Sequence, residues 1–531
     1  MPDILLIQPP IRDFYLTAKR TIPYGLAAIA APLIQAGYTV EILDMLATGK
    51  RRPLDLPPEM HYLKAYYGRP DVSPLALFHQ YNHFGYSHEY LHRELKKKSP
   101  FLIGVSSLFT AYSDEALYCA KIAKKIHPNA VVVMGGHHPT ALPAQVMAHD
   151  FVDYCLRGEG ETSLLPLVQA LEKGRDVSSV PGIVYRKKNG EIHITSPALM
   201  ADPDAYPLPA SHLIKTAYYR RRQGGAISIM TGRGCPMMCA YCSMGTLFKR
   251  YRKRSVSHVM TELNREVATR GATFIDFEDE NLSLDKRWFT DLLKQIIAQF
   301  GTDTLELRAM NGLFPPSLDE DLILLMKEAG FRTLNLSLGT TDPDQLKRFR
   351  RPDVRDATDH VLHLAEKHGL ESVCYVIAGA PGQTAASSLE DLLYLGEKPT
   401  LAGVSVYYPA PGSHDYTELE QRGALPPSFS LMRSTAIPMN TPTTRLESVT
   451  LLRLSRIINF IKQLKKNRET LPEPRPFTRP AAFHTMDRTE IGRNILSWFL
   501  YDGQIRGMTK EGEIYAHQAS SSLTRRFIHR L

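Results

Sequence analysis

The chain has 531 residues, of which 43% are hydrophobic and 22% are charged. This composition excludes a collagen-like protein, a coiled coil and a wholly disordered chain. No apolar run reaches the ~18 residues that indicate a transmembrane helix. At roughly 150 residues per domain, the length predicts about three domains. The start, MPDILLIQPP, carries Asp3 and a Pro-Pro pair instead of a basic segment, so we expect no signal peptide and a cytoplasmic protein.

The net charge is +9. Such a charge can attract phosphates, nucleic acid or lipid headgroups, but bulk charge is a weak signal. We interpret it as an ordinary basic surface and expect no nucleic acid partner. Six cysteines are too few for a disulfide framework in a chain of this length.

Residues 1–175 alternate apolar, β-rich runs with helical patterns. The predicted strands lie at 3–10, 39–45, 101–108, 130–136 and 152–159. Apolar strands separated by helices indicate a parallel sheet covered on both faces. We therefore predict an α/β, doubly wound, Rossmann-like domain whose ligands bind at the carboxyl ends of the strands.

Two segments interrupt the alternation. Residues 50–100 are rich in Pro, Tyr and His and are too long for a plain loop, so we expect helices there, one of them in SHEYLHRELKKK. Residues 176–223 form a connector in which an Asn-Gly turn between two strand-like runs predicts a β-hairpin.

A second alternating series occupies residues 224–415. Strand-like runs such as AISIMTG, TFIDFEDE and ESVCYVIAG alternate with helical patterns in six β–α units. This predicts a partial (β/α)6 TIM-type barrel, with its chemistry at the carboxyl ends of the strands. Residues 416–531 are predicted to be a mostly helical region that caps the barrel and shapes the substrate site. Its amphipathic helix at 446–467 fits either packing on the barrel or a lipid surface.

The segment TGRGCPMMCAYCSMG directly follows the first strand of this second series. Cys235, Cys239 and Cys242 have the spacing Cys-x3-Cys-x2-Cys. Three thiolates at the mouth of a barrel can hold three irons of a [4Fe–4S] cluster. A structural zinc site would need a fourth ligand close by. We therefore predict that these cysteines bind a [4Fe–4S] cluster with one open iron.

The cysteine spacing at this place in a β–α barrel resembles the radical S-adenosylmethionine (SAM) superfamily. The resemblance implies that the open iron binds SAM, and that reduction cleaves SAM to a 5′-deoxyadenosyl radical. It places Tyr241 near the adenine of SAM. FEDEN resembles the acidic strand-two motif that holds the SAM amino group, so Glu278, Asp279 and Glu280 are all candidates.

Later strand ends supply further SAM-binding candidates by the same resemblance. They are Arg308 and Asn311 in RAMNG and Gly379 in the strand-five Gly-Pro-Gly turn. SLGTTDPDQLKRFRRP follows the strand-four pattern but has Gly339 where relatives commonly carry Glu, which weakens a ribose-binding role there.

A doubly wound domain ahead of such a barrel resembles the cobalamin (B12)-binding class of radical SAM enzymes. The resemblance implies that Ser106, Ser107, Gly135 and Gly136 let the corrin and its nucleotide tail approach the backbone. Many B12 proteins ligate cobalt with the His of an Asp-x-His-x-x-Gly motif. Here the matching residues are Asp44, Leu46 and Gly49. Leu cannot ligate cobalt, so we expect no protein ligand to cobalt from this loop.

Other charged or imidazole side chains have simpler interpretations. We assign His137 and His138 to a tail-binding or capping loop rather than to cobalt. The run FKRYRKRS at 248–255 could attract an anionic partner, but charge runs usually face water. We therefore expect a solvated loop there.

Taken together, the motifs resemble class B radical SAM methyltransferases. The resemblance implies [4Fe–4S], SAM and cobalamin as cofactors and methylation of an unactivated carbon of a small-molecule or lipid substrate. It also implies an electron donor such as flavodoxin or ferredoxin. Non-methylating ring closure or rearrangement is an alternative, and a non-catalytic cobalamin or Fe–S sensor is another. The sequence assigns no catalytic residue.

Overall fold

Parallel strands frame the N-terminal and central parts of the chain in the computed structural model, which describes residues 3–14, 22–222, 224–478 and 487–531. Residue 223, where the predicted connector ends, lies outside the described residues. In chain order the strands are β1 Ile4–Gln8, β2 Ile11–Asp13, β3 Val40–Asp44, β4 Arg51–Leu54, β5 Tyr81–Phe84, β6 Leu102–Ser106, β7 Val131–Gly135, β8 Tyr154–Leu156, β9 Ile183–Arg186, β10 Ile192–Ile194, β11 Arg220–Arg221, β12 Gly224–Ile229, β13 Gly232–Arg233, β14 Arg252–Lys253, β15 Ala272–Phe277, β16 Glu306–Ala309, β17 Thr333–Gly339, β18 Glu371–Ala378, β19 Leu401–Val406, β20 Arg506–Met508 and β21 Ile514–Ala516.

The α-helices connect and cover these strands. In chain order they are α1 Tyr24–Gln35, α2 Lys64–Tyr67, α3 His88–Lys96, α4 Ser113–Ile126, α5 His137–Ala141, α6 Pro143–Met147, α7 Leu164–Glu172, α8 Met244–Leu247, α9 Val256–Arg270, α10 Lys286–Phe300, α11 Glu320–Ala329, α12 Pro343–Phe349, α13 Arg355–Lys367, α14 Ala385–Glu397, α15 His414–Gln421, α16 Arg445–Lys466, α17 Arg488–Asp502 and α18 Ser521–Ile528.

The N-terminal sheet has the order β10-β9-β8-β7-β6-β1-β3. Strands β3, β1, β6, β7 and β8 are parallel, which confirms the predicted doubly wound sheet. Their order is that of flavodoxin-like sheets, whose connections change direction between β1 and β6. Ligands of such sheets bind where these two strands end, at Gln8 and Ser106.

Helices cover both faces of this sheet because its strands are apolar on both sides. Successive side chains of β1 point to opposite faces. Leu6 packs in one core with Leu26 of α1, whereas Leu5 packs in the other with Leu91 of α3 and Cys119 of α4. A continuous apolar run is therefore what this strand requires.

The predicted β-hairpin forms around Asn189 and Gly190, and it extends the N-terminal sheet. Strands β9 and β10 are antiparallel, and β9 also pairs antiparallel with β8. Gly190 has a φ of +85°, which a glycine adopts at little cost.

Residues 50–100 contain strands as well as the predicted helix. The helix expected in SHEYLHRELKKK is α3, capped by Ser87. Strands β4 and β5 join β2 in a small antiparallel sheet. This sheet lies beside the loop after β3, because the backbone N–H of Tyr86 donates to the carbonyl of Met45 at 2.8 Å.

The central part is an open, partial barrel. Strands β12, β15 and β16 are parallel neighbours, and so are β17, β18 and β19. Two parallel bridges, Leu307–Phe331 and Leu313–Leu336, connect these two sheets. Over the part of the chain that the structure describes, no ladder joins β19 back to β12. The predicted partial (β/α)6 barrel is thus confirmed.

The C-terminal region is mostly helical, as predicted. α16 begins with a capping box formed by Thr444 and Glu447. It buries Leu451, Leu454 and Ile458 in the barrel core, so the amphipathic pattern reflects packing on the barrel. Among the described residues, no helix is both long and apolar enough to cross a membrane.

A substitution at Gly158 tests how tightly the loop after β8 packs against Ala198. Its φ is +89°, and a Cβ there would lie 2.1 Å from the carbonyl oxygen of Ala198. We expect Gly158→Ala to lower the free energy of unfolding by more than about 2 kcal/mol, measured by urea denaturation. Gly174→Ala is the control, because Gly174 has a φ of +60° but open space around it. It should cost only about 1 kcal/mol. Equal losses would contradict the role of the Ala198 contact.

Candidate functional site

The three clustered cysteines lie on the loop that follows β12. Cys235, Cys239 and Cys242 are free thiols. The loop turns at Gly234, whose φ is +77° and whose Cβ would lie 2.3 Å from the carbonyl oxygen of Arg250. Only glycine allows the backbone to approach so closely. The turn carries the thiols to the carboxyl end of the barrel.

The environment of these thiols suits metal binding. Burial raises the pKa of Cys235, and it raises the pKa of Cys242 to about 11. Without a metal, both thiols therefore stay protonated at neutral pH. Iron can displace these protons, since the thiolate is the ligand. Three free thiols on one loop are a donor set that fits a [4Fe–4S] cluster.

The middle of the cysteine loop is fastened to two helices. The N–H of Ala240 donates to the carbonyl of Phe349 at the end of α12, at 3.0 Å, and its carbonyl accepts from the N–H of Asp415 in α15 at 2.9 Å. Tyr241 packs edge-on against Phe349, with 4.9 Å between ring centroids. The ligand loop is thus held in position by the barrel.

Arg351 is a site residue that the sequence analysis missed. It donates to the hydroxyl of Tyr241 at 3.1 Å and to Ser337 near the end of β17. A Cβ on Gly339, whose φ is +87°, would lie 3.3 Å from the Arg351 side chain. The chain thus has a glycine at position 339, where relatives commonly carry Glu, and the side chain of Arg351 packs beside that glycine. The RFRRP run was the available signal.

The acids after β15 lie in different environments. Asp279 is buried, and its carboxylate accepts from the N–H and the hydroxyl of Thr231 at 2.9 and 2.6 Å. Glu278 accepts from the hydroxyl of Ser228 at 3.3 Å. Burial and the nearby Asp279 raise the pKa of Glu280 to about 7. Asp279 therefore fixes the end of β12, whereas the carboxylate of Glu280 lies close enough to the cysteine loop to raise the pKa of Cys235 and Cys242.

The other predicted SAM-binding residues lie at the neighbouring strand ends. Arg308 donates to Asp276 of β15 at 3.1 Å. The amide of Asn311 donates to the carbonyl of Glu278 at 3.1 Å. Gly379 follows β18 with a φ of +75°, and a Cβ there would lie 3.3 Å from Ser448 of α16.

The loop that begins at Asp44, at the end of β3, is tightly packed. The carboxylate of Asp44 accepts from the N–H of Leu46 at 2.9 Å and from the hydroxyl of Tyr219. Burial raises the pKa of Asp44 to about 6. Leu46 is only 3% exposed and packs against Phe84. Gly49 is exposed.

The small residues after β6 and β7 meet at the sheet edge. The hydroxyl of Ser107 is 2.9 Å from Nδ1 of the buried His138. Gly136 has a φ of +119°, and its Cβ would lie 2.5 Å from the carbonyl oxygen of Ser107. Ser106 is half-buried, and a Cβ on Gly135 would find no atom closer than 3.8 Å. A ligand has room to approach at these two positions.

Two ion pairs join the carboxyl end of the N-terminal sheet to β13 and β14, the strands that flank the cysteine loop. Glu159, after β8, pairs with Arg252 of β14 at 2.7 and 2.9 Å. Glu161 pairs with Arg233 of β13 at 2.6 Å. Arg233 is two residues before Cys235, so the N-terminal sheet directly supports the cysteine loop.

The expectation of a solvated loop at 248–255 is wrong for its buried arginines. Arg252 is held by Glu159, and Arg254 donates to Glu262 of α9 at 2.5 Å. Lys253 lies over the ring of Trp288, 4.0 Å from its centroid. These three residues of the run are therefore structural, with the partner of Arg254 only 8 residues away but that of Arg252 93 residues away.

Family models match both the N-terminal part and the central part of the chain. The B12 binding domain model matches residues 77–168, and the radical SAM superfamily model matches residues 229–394. The chain therefore carries a B12-binding domain followed by a radical SAM domain. All of the predicted cluster and SAM residues lie within the second match, whereas Asp44, Leu46 and Gly49 precede the first.

Two curated relatives of this chain are methyltransferases by name. It is 32% identical over 293 residues to the uncharacterized methyltransferase PH0819 of Pyrococcus horikoshii, which covers 55% of this chain and 62% of that protein, less than two thirds of its length. It is 25% identical over 472 residues to cytidylyl-2-hydroxyethylphosphonate methyltransferase of Streptomyces wedmorensis, covering 81% and 84%.

A solved structure shares the fold. The radical SAM methyltransferase TsrM of Kitasatospora setae, determined with cobalamin and a [4Fe–4S] cluster bound, superimposes with a TM-score of 0.60. The match covers 80% of this chain and 76% of that one at 20% sequence identity.

The Glu159–Arg252 ion pair should contribute strongly to the stability of the contact between the N-terminal sheet and β14. Glu159→Gln leaves a buried, unpaired guanidinium, so we expect a loss of about 3–5 kcal/mol in the free energy of unfolding, measured by urea denaturation. In Glu159→Leu/Arg252→Met both charges are removed, and much of this loss should be recovered. A double variant as unstable as the single one would contradict the charge-burial explanation.

Proposed function

We propose that this chain is a cobalamin-dependent radical SAM methyltransferase that acts on an unactivated carbon. The observation that carries the proposal is the direct support of the cysteine loop by the B12-binding part, through Glu161 and Arg233. This ion pair joins the carboxyl end of the N-terminal sheet to the start of the cysteine loop, which supports a site shared by the two cofactors. When bound, the cofactors would supply a carbon-centred radical from SAM and a transferable methyl group from cobalamin.

The chain would hold the cluster through Cys235, Cys239 and Cys242. Their thiols lose protons when iron binds, because the thiolate is the ligand. The backbone hydrogen bonds of Ala240 and the packing of Tyr241 on Phe349 hold the cysteine loop against α12 and α15. The hydroxyl of Tyr241 is oriented by Arg351, so its ring is fixed where the resemblance places the adenine.

We assign SAM to the strand ends beside that loop. Glu280 would accept from the amino group of SAM, because Asp279 is occupied by Thr231. Arg308, Asn311 and Glu278 would line the same edge, and Gly379 would leave room for the cofactor. The pairing of Arg308 with Asp276 keeps its guanidinium from folding over the site.

We assign cobalamin to the edge of the N-terminal sheet. Ser106, Ser107, Gly135 and Gly136 would contact its tail, and His138 would orient the Ser107 hydroxyl. The exposed Gly49 would border the corrin, with Asp44 and the buried Leu46 behind it, and Leu46 offers cobalt no ligand.

Large apolar side chains remain exposed at these edges. Leu108 and Phe109 follow β6, Met238 lies between cluster cysteines, and Met310 follows β16. Apolar walls exclude water, which protects radicals from side reactions. They favour a small-molecule or lipid substrate. The chemistry also needs a one-electron donor, such as flavodoxin or ferredoxin.

The deciding experiment is anaerobic reconstitution with iron, sulfide and hydroxocobalamin, followed by SAM and a strong reductant. We expect bound cobalamin, 5′-deoxyadenosine and S-adenosylhomocysteine. Cys235→Ala/Cys239→Ala/Cys242→Ala should abolish both products, whereas Cys374→Ala, a buried cysteine outside the loop, should retain them. 5′-Deoxyadenosine without S-adenosylhomocysteine would favour non-methylating radical chemistry. An intact cluster with neither product would contradict the enzyme proposal.

Substitutions of the three acids after β15 should differ in their effects on SAM binding. We expect Glu280→Gln to weaken SAM binding at least about tenfold in calorimetry of the reconstituted protein, because it removes a charge-assisted hydrogen bond. Glu278→Gln should have a smaller effect. Asp279→Asn should mainly lower the stability of the fold, since it breaks the bonds to Thr231. Full SAM affinity in Glu280→Gln would overturn the assignment.

A further inference from the structure

A group of metal-binding side chains lies in the N-terminal part, separate from the cysteine loop. His83 of β5, His88 of α3 and Glu115 of α4 each offer a ligand atom, and these atoms all lie within 4.8 Å of one another. His83 and Glu115 are buried, and His88 is partly exposed. The three residues come from three elements, so the fold brings them together.

Both histidine rings are held in place, and His83 has the hydrogen bond that is typical of a metal ligand. Nε2 of His83 is 2.9 Å from the carbonyl oxygen of Tyr86, so it donates its proton there and leaves the Nδ1 lone pair free. Metal-binding histidines usually have such a carbonyl partner on the other nitrogen. His88 stacks on Tyr118 at 3.9 Å, which fixes its ring, and its Nε2 is 2.8 Å from Glu115.

We propose that His83, His88 and Glu115 bind a divalent transition-metal ion, for which zinc is the best match. Two imidazoles and one carboxylate form a known zinc ligand set, with bond lengths of about 2 Å and a further position for water. Atoms that bind one ion at about 2 Å lie at most about 4 Å apart, and the candidate atoms here lie within 4.8 Å of one another. The bound ion would tie β5, α3 and α4 together beside the Asp44 loop.

A second group, His414, Asp415 and Glu418, satisfies the same distance limit but is less suited to a cation. Arg350 donates to Nε2 of His414 at 2.8 Å, and Arg348 pairs with Glu418 at 3.2 Å. Guanidinium groups thus occupy the atoms that would bind the ion. In the first group Arg12 contacts only one oxygen of Glu115, and the other faces His88.

The test uses zinc and cobalt ions added to the cluster-loaded protein after treatment with a mild chelator. We expect one equivalent of zinc beyond the cluster metals, and visible ligand-field absorption when cobalt replaces it. His83→Gln and His88→Gln should each weaken zinc binding more than about tenfold. The control is His92→Gln, on the same helix α3 but outside the ligand group, which should bind normally.

The variant Cys235→Ala/Cys239→Ala/Cys242→Ala separates this site from the cysteines, and it should still bind the one equivalent. Arg12→Gln removes a positive charge beside Glu115, so it should tighten zinc binding. If the group is only an ion-pair network, Arg12→Gln will lower stability without any metal uptake. Zinc binding that is unchanged in His83→Gln and His88→Gln, while circular dichroism shows both folded, would overturn the proposal.

Discussion

The buried ion pair between Glu159 and Arg252 sets how the two sheets face each other. Both side chains are less than a tenth exposed, and burying either charge alone would cost several kcal/mol. The pair therefore forms only when the end of β8 meets the hairpin of β13 and β14. The cysteine loop connects these two strands, so the orientation of the N-terminal sheet and the position of the three cysteines are coupled.

Another buried pair joins the C-terminal region to the N-terminal part. Arg433 lies 3.5 Å from Asp13, the last residue of β2, and donates to the carbonyl of Ala111 before α4 at 3.1 Å. The segment after the barrel is thus anchored on the N-terminal part. The contacts of Arg252 and Arg433 hold the N-terminal part at two separate points, which restrains its rotation as well as its separation from the rest of the chain.

The sequence was sufficient for features that depend on local pattern. Apolar runs predicted the parallel strands, and the cysteine spacing predicted the ligand loop, because both are set by neighbouring residues. Pairings between distant residues could not be predicted in this way. Arg252 was expected to be solvated because its run is charged, and its partner Glu159 is 93 residues away. Arg351 was missed for the same reason, since its contacts with Tyr241 and Ser337 exist only after the barrel has folded.

The absence of a histidine at Leu46 follows from the same packing. The small sheet of β2, β4 and β5 covers the Asp44 loop, and Leu46 lies in an apolar cluster with Ile11 and Phe84. An imidazole there would bury a polar ring among apolar side chains, which costs free energy unless the ring finds a hydrogen-bond partner. The segment between β3 and β6 therefore makes Leu46 part of an apolar core, in which a leucine is more favourable than a histidine.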